Sequence, residues 1–471
     1  MSEWLGSRVC VAGIGVSGTA VARTLRGLGA DVTVVDDRDG PAERDRGTEL
    51  EWLGARVRLG AGGELPTGTD LVVTSPGWRP TAPLLTAAVA AGVPVVGEVE
   101  LAWRLRRPDA APWLALTGTN GKTTTVRMLA SILTAAGYRA AAAGNVGTPV
   151  LDAVLTEPAY DVLAVELSSF QLHWSSTLCP HAAAVLNVAP DHLDWHGSLE
   201  DYAADKGRIY AAGTTAVVNA DDGWSSSLAP AAGRTVAFTL DTPRPGQLGV
   251  VEDVLVDRAF ADDPGDAVEL GTLGDVRPPA PHNVANALAA AALARAYGVP
   301  AAAVAEGLRT FEPEHHRITH VATVEGVDYV DDSKATNPHA AAASLAAYPS
   351  VVWVAGGQLK GASVDGLVRD AAHRLRAAVL LGADREVIRA ALARHAPEVP
   401  VVEVPGTDTG VMASVVREAY RLALPGDTVL LAPAAASLDM FANYGTRGDA
   451  FAAAVRDHNA TATTTAGGDG P

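Results

Sequence analysis

Cysteine is almost absent. Cys10 and Cys179 are the only two, too few for a disulfide framework, and this points to a reducing compartment. Positive charge is also scarce: 36 Lys and Arg stand against 54 Asp and Glu, a formal net charge of −18. Such a surface repels nucleic acid and anionic membrane, so neither is expected as a partner. Any phosphate ligand then has to be held by converging backbone N–H groups and a few local cations. No uncharged apolar run reaches the roughly 18 residues that a membrane span needs. The opening Met1-Ser2-Glu3-Trp4-Leu5 lacks the basic and apolar segments of a signal peptide. A soluble, cytoplasmic chain is expected.

Material for cores is ample. Of the 471 residues 48% are hydrophobic and 19% charged, enough for roughly three domains. Short apolar runs recur, among them Val9–Val11, Val32–Val35, Leu71–Val73, Val93–Val96, Leu114–Leu116, Val162–Val165, Ala183–Leu186, Val351–Val354, Val379–Leu381 and Val429–Leu431. Continuous runs of this kind suit strands buried on both faces of a parallel sheet. Alanine-rich stretches such as Thr123–Ala136 and Val284–Tyr297 suit crossover helices. The predicted class is α/β, doubly wound. Polar, proline-containing breaks at Arg104–Asp109 and Phe311–His316 divide the chain into 1–107, 108–312 and 313–458, with 459–471 a flexible tail.

The sharpest motif is Gly118-Thr119-Asn120-Gly121-Lys122-Thr123-Thr124, after a strand and opening a helix. It is shorter than the common G-x-x-x-x-G-K-[ST] loop, yet keeps its chemistry: glycines let N–H groups converge on phosphate, Lys122 can bridge phosphates, and the Thr123 hydroxyl can ligate Mg²⁺. ATP is the expected ligand. Glu166 ends the Val162–Val165 run; alone it reads as a helix cap, but downstream of a phosphate loop it reads better as a metal ligand. Asp191-His192-Leu193-Asp194-Trp195-His196 reads either as a metal-binding cluster or as a polar loop. Spacing does not single out Lys206, which on a helix would ordinarily be a solvated lysine.

Gly13-Ile14-Gly15-Val16-Ser17-Gly18, with Asp36 and Asp37 ending the next apolar run, fits a nucleotide-diphosphate fingerprint; NAD and a UDP-sugar are both compatible. In the last third, Asp331–Asn337, Gly356–Gly361 and Pro433–Asp439 each follow a predicted strand. Lys334 and Lys360 place cations at strand ends, where a carboxylate or phosphate would bind.

Taken together and in this order, the motifs resemble the Mur ligases of bacterial peptidoglycan synthesis, nearest to their D-glutamate-adding branch. The phosphate loop is shared with folylpolyglutamate synthases as well; Gly-x-Gly-x-Ser-Gly, Asp-Ser-Lys-Ala-Thr-Asn and Pro-Ala-Ala-Ala-Ser-Leu-Asp point to that branch. The resemblance implies a Rossmann-like first domain, a P-loop ATPase-like central domain and a Rossmann-like last domain. It implies an ATP-dependent amide ligation through an acyl phosphate, with UDP-MurNAc-L-Ala and D-glutamate as substrates and a monomeric enzyme. By resemblance, Gly118–Thr124 with Asn286, Arg317 and Asp332 contact ATP. Thr123, Glu166, His192 and a carbamylated Lys206 serve two Mg²⁺ ions, and Lys122, His192 and Lys206 are catalytic. Gly15, Val16, Ser17, Asp36, Asp37 and Asn145 meet the UDP-sugar; Lys334, Thr336, Lys360, Ser437, Leu438 and Tyr444 surround D-glutamate and phosphate. The match departs at Asp37, Leu359, Ala432 and Tyr444. A dehydrogenase would leave the phosphate loop and the later lysines without a role, whereas a ligase adding a different amino acid, or a nucleotide-binding scaffold, would not.

Overall fold

The computed structural model describes residues 4–466 apart from 230–232, 262, 264, 314 and 407–409. Five strands, β1 (Arg8–Ala12), β2 (Asp31–Asp36), β3 (Arg56–Leu59), β4 (Leu71–Thr74) and β5 (Val95–Gly97), form a parallel sheet of order β3-β2-β1-β4-β5. The order reverses at β1, so the turns after β1 and β4 flank a switch-point crevice, where open α/β sheets take ligands.

A second sheet contains β6 (Trp113–Thr117), β7 (Ala140–Gly144), β8 (Val162–Glu166), β9 (Ala182–Val185), β10 (Thr215–Asn219), β11 (Thr235–Phe238), β12 (Gln247–Val251), β13 (Val254–Asp257) and β14 (Val268–Thr272). Its order is β14-β13-β12-β11-β10-β9-β6-β8-β7. Strand β6 shows why apolar runs were the right signal. Trp113 and Ala115 enter one core while Leu114 and Leu116 enter the other, so both faces are buried and the run is continuous. One end of this sheet differs from a purely parallel expectation. Strands β12–β14 pair antiparallel, because the short Glu252-Asp253 turn allows only a hairpin. Ala140-Ala141-Ala142-Ala143-Gly144 has a helix-forming composition, yet it forms β7 along the whole of β8; strand pairing overrides local propensity. The helix Lys122–Ala135 crosses over from β6 to β7, whereas Pro281–Ala296, expected as a second crossover, follows the last strand of the sheet and packs in its core.

The third sheet has β15 (Thr319–Val324), β16 (Val327–Asp331), β17 (Val351–Gly356), β18 (Leu375–Leu381), β19 (Val401–Glu403) and β20 (Thr428–Leu431), in the order β15-β16-β20-β17-β18-β19. Only β15 is antiparallel to its neighbour. Trp353 and Ala355 pack on one face, Val352 and Val354 on the other. The helix Tyr444–Ala466 runs through most of the segment expected as a tail. Anchored by buried Phe451 and Val455, it continues past Ala452–Ala454 into the threonine-rich residues 461–465; residues 467–471 lie outside the described residues.

The chain forms two compact units: Met1–Val188, His192–Val276 and Val284–Phe311 make one, and Ala189–Asp191, Arg277–Asn283 and Glu312–Pro471 the other. The first two sheets share a unit and contribute to one apolar core, and Glu100 adds a polar link within it. Its fully buried carboxylate accepts from Ser176 N (2.9 Å), Thr177 N (3.0 Å), Thr177 Oγ1 (2.7 Å) and Arg104 Nε (2.8 Å). No helix among the described residues is long and apolar enough to cross a membrane. Glu100→Ala would remove the buried carboxylate that accepts from the Ser176 and Thr177 N–H groups, the Thr177 hydroxyl and Arg104. It should lower the unfolding free energy by about 2–4 kcal/mol, measured by urea denaturation; an unchanged midpoint would show that this link does not stabilise the unit.

Candidate functional site

In the second sheet, β6 lies between β9 and β8, and the ends of these three strands meet around the phosphate loop. The chain turns into the helix at Gly121, whose φ of +82° is left-handed. A Cβ there would stand 2.2 Å from Asn286 Oδ1, so glycine is required twice over. Asn187, just past β9, closes the other side. Its Oδ1 accepts from Asn120 N at 2.9 Å, and its Nδ2 donates to Asn120 O at 3.1 Å.

Two cations converge on one carbonyl. Lys122 Nζ donates to the oxygens of Gly118 and Thr119, each at 2.9 Å. Lys206 Nζ donates to the same Gly118 oxygen, also at 2.9 Å. Lys206 is therefore no surface lysine: it is 1% exposed and lies 4.4 Å from the ring centre of Tyr202, whose hydroxyl is 3.2 Å from Thr119 Oγ1. Like charges this close and this poorly solvated repel. An anion beside them would relieve that repulsion.

Glu166 is 1% exposed. Its Oε1 accepts from Asn145 Nδ2 at 2.9 Å, while Oε2 is buried without a partner. Such an orphan oxygen costs free energy unless a cation meets it. Asn145, expected at the UDP-sugar, is thus held at this carboxylate. Thr123 is buried in the first helical turn. No three His, Cys, Asp or Glu among the described residues make a ready metal cage. This suits Mg²⁺, which usually takes one or two protein ligands and fills the rest with water and phosphate oxygen. His192 is exposed at φ +54°, with its ring 4.9 Å from Phe170 and 6.5 Å from Tyr202.

At the first sheet's crevice, Gly15 precedes the helix Val16–Gly27. A Cβ on Gly18 would come 1.8 Å from Gly13 O, so the third glycine of the fingerprint is a packing requirement. Val16 is 70% exposed and Ser17 half-buried. Asp36 braces the glycine turn: Oδ2 accepts from Ile14 N at 2.8 Å and Oδ1 from Arg38 N at 2.9 Å. Burial alone would push its carboxyl up, but the bonds from Arg38 and Ile14 hold it below the usual range. Asp37 is exposed. Ser75, just past β4, was not singled out in the sequence; its Oγ is buried without a partner, 2.6 Å from where a Gly13 Cβ would be.

In the second unit, the loops after β16, β20 and β17 leave the same end of three neighbouring parallel strands. They carry Lys334 and Thr336, Ser437 and Leu438, and Lys360 respectively. Lys334 Nζ lies 3.8 Å from the Tyr444 ring centre. Lys360 is exposed at φ +53°, Ser437 is buried, and Leu438 is 64% exposed. Arg447, unnoticed in the sequence, ties the three loops. It donates to Ser333 Oγ and O (both 2.9 Å), Ala435 O (3.0 Å) and Gly356 O (3.3 Å), and is 1% exposed. The signal was available: a cation in the first turn of a helix opposes the helix dipole, so it needs other partners.

Asp332 is buried beside Arg317. Burial pushes its carboxyl up to about 6, against the hydrogen bond from Ser344 and the charge of Arg317. From about pH 4, the ordinary carboxylate value, to about 6, the folded chain binds the proton that the unfolded chain has lost, so stability from this group falls as pH rises. Asp332→Asn should flatten that decline, leaving the urea midpoint at pH 7.5 equal to or above the parent's. A midpoint lowered at pH 7.5 but not at 4.5 would mean that an ionised Asp332 stabilises the fold.

Family models match along most of the chain. The Mur ligase MurD-like N-terminal domain covers residues 7–97, the Mur ligase middle domain 116–294, and the Mur ligase glutamate ligase domain 316–435. The UDP-N-acetylmuramoylalanine–D-glutamate ligase of Streptomyces avermitilis is 65% identical, over 97% of this chain and 99% of its own. That of Mycolicibacterium smegmatis is 51% identical, over 96% and 97%. Among solved structures, UDP-N-acetylmuramate–alanine ligase from Thermotoga maritima aligns over 96% of this chain and 99% of its own, with a TM-score of 0.56 and 20% identity, a likeness of fold.

Proposed function

The chain belongs to the Mur ligase family, and on that premise we propose that it joins D-glutamate to UDP-N-acetylmuramoyl-L-alanine at the expense of ATP, in cytoplasmic peptidoglycan precursor synthesis and as a monomer. What carries the reading at the level of chemistry is the pair of lysines on the Gly118 carbonyl. A buried and a half-buried ammonium group at a glycine-rich helix start form a receptor for a polyphosphate.

A free carboxylate is a poor acyl donor. In the proposed reaction its oxygen attacks the γ-phosphorus of ATP, the bond to ADP breaks, and an acyl phosphate results. The D-glutamate nitrogen then attacks the acyl carbon and gives up a proton, and inorganic phosphate leaves. Gly118–Thr124 and Asn286 hold the nucleotide in the first unit; Arg317 and Asp332, from the second, carry over as nucleotide contacts. Lys122 neutralises charge growing on the transferred phosphoryl group. Thr123, Glu166, His192 and a carbamylated Lys206 are the residues that would hold two Mg²⁺ ions, which screen phosphate charge when bound. Gly15, Val16, Ser17, Asp36, Asp37 and Asn145 serve the UDP-sugar: Asp36 by bracing the turn, Asn145 by orienting Glu166. Lys334, Thr336, Lys360, Ser437, Leu438 and Tyr444 form the D-glutamate side, with Arg447 fixing their loops. The working division is 1–107 for the UDP-sugar, 108–312 for ATP and 313–458 for the amino acid.

Phosphate release with UDP-MurNAc-L-Ala and a panel of amino acids tests the whole reading. Strict dependence on D-glutamate is expected, and release with another amino acid instead would overturn it. Lys122→Ala should lower kcat by about 100-fold or more with little change in Tm; near-normal kcat would remove its phosphate role. Lys206→Ala should be nearly inactive and partly rescued by short carboxylates such as formate. Full activity without rescue would exclude a carbamate.

A further inference from the structure

Beside the phosphate loop lies a polar cluster that the proposed chemistry leaves unused. Asp205 precedes Lys206 on the helix Leu199–Gly207, so the two side chains leave it about 100° apart. Lys206 reaches Gly118, whereas Asp205 turns to the helices Ser169–His173 and Leu193–His196. Its Oδ2 meets Nδ1 of both His173 (2.8 Å) and His196 (2.9 Å), and Oδ1 meets Arg208 Nε at 3.0 Å. On its far side, His196 Nε2 is 3.0 Å from Ser169 Oγ. The Phe170 ring stacks on His196 (5.4 Å, 16°) and meets His192 edge-on at 4.9 Å.

We infer that Asp205, acting through His196 and His173, is a positioning residue that sets the His192 turn and the Lys206 side chain for the phosphate and metal chemistry; the inference rests on the ligase reading. Leu193–His196 is a four-residue helix in which Leu193 is 39% exposed, with Trp195 packed edge-on against the Phe170 and His173 rings. Its pair with Arg79, through Asp194, is exposed on both sides and correspondingly weak. Yet His192 holds a left-handed φ of +54°, which a non-glycine keeps only where its surroundings fix it.

The buried imidazole–carboxylate bonds contribute to that constraint. The Asp205 side chain is 8% exposed and that of His196 fully buried. Both imidazoles turn Nδ1 to the same Asp205 oxygen, at 2.8 and 2.9 Å, so one carboxylate ties two helices together. The Ser169–His196–Asp205 order is that of an activated nucleophile, but Ser169 is 3% exposed and Asp205 is shared with a second histidine. The bonds orient groups; they do not prepare an attack.

Asp205→Asn should lower kcat about 10- to 100-fold, the usual cost of losing a group that orients ligands, while KM for UDP-MurNAc-L-Ala and D-glutamate stays within about threefold. Calorimetry of ADP binding should show a higher half-saturating Mg²⁺ concentration. His196→Asn returns an N–H near the Nδ1 position and should retain most of the kcat that His196→Ala loses. Wild-type kcat in Asp205→Asn would overturn the inference. So would equal losses in the two His196 variants that recover in step with refolding on cooling, and this pair decides the matter if Asp205→Asn does not fold. A wild-type protein that released no phosphate would instead overturn the ligase reading.

Discussion

Two ammonium groups share the carbonyl oxygen of Gly118, and much of the first unit exists to make that possible. Bringing Lys122 and Lys206 together requires a helix that begins at a left-handed glycine, a second helix that delivers Lys206 out of water, and a tyrosine face beneath it. Repulsion between the two cations is offset in part by the carbonyl dipoles of the loop. Positive charge is gathered at a helix start in advance of any ligand, and preorganisation of this kind is how electrostatics serve catalysis.

The same economy appears in the other buried charges. Arg447 spends four hydrogen bonds on backbone and serine oxygens of three loops. Asp205 spends its carboxylate on two imidazoles and a guanidinium. Glu100 joins two sheets, and Asp36 braces a turn. None of the four needs to touch a substrate to matter. Each converts the high cost of a buried unpaired charge into a strict geometrical requirement on its neighbours, so the loops and turns that carry Lys334, Glu166 and His192 have few alternative arrangements.

Much of this was legible in the residues. Apolar runs such as Leu114–Leu116 and Val351–Val354 announced strands because both of their faces are buried. The Gly-Thr-Asn-Gly-Lys-Thr-Thr segment announced its loop because glycine, a lysine and a helix start are all local. Other features were less legible. Ala140–Gly144 looks helical and is a strand, since pairing with β8 outweighs propensity. The bracing of the glycine turn by Asp36 shows only in the fold. The antiparallel end of the second sheet depends on a two-residue turn with no strong hairpin signature.

Local pattern alone thus determined the α/β class, the three strand-ended motifs and the phosphate loop, because burial on both faces and backbone freedom are written into neighbouring residues. Only the tertiary structure decided that Lys206 is buried against Gly118, 88 residues away, and that Arg447 binds Ser333 across 114. Which distant groups meet depends on strand order and helix phase over the whole fold, and a charged side chain looks the same in sequence whether it ends in water or against a carbonyl.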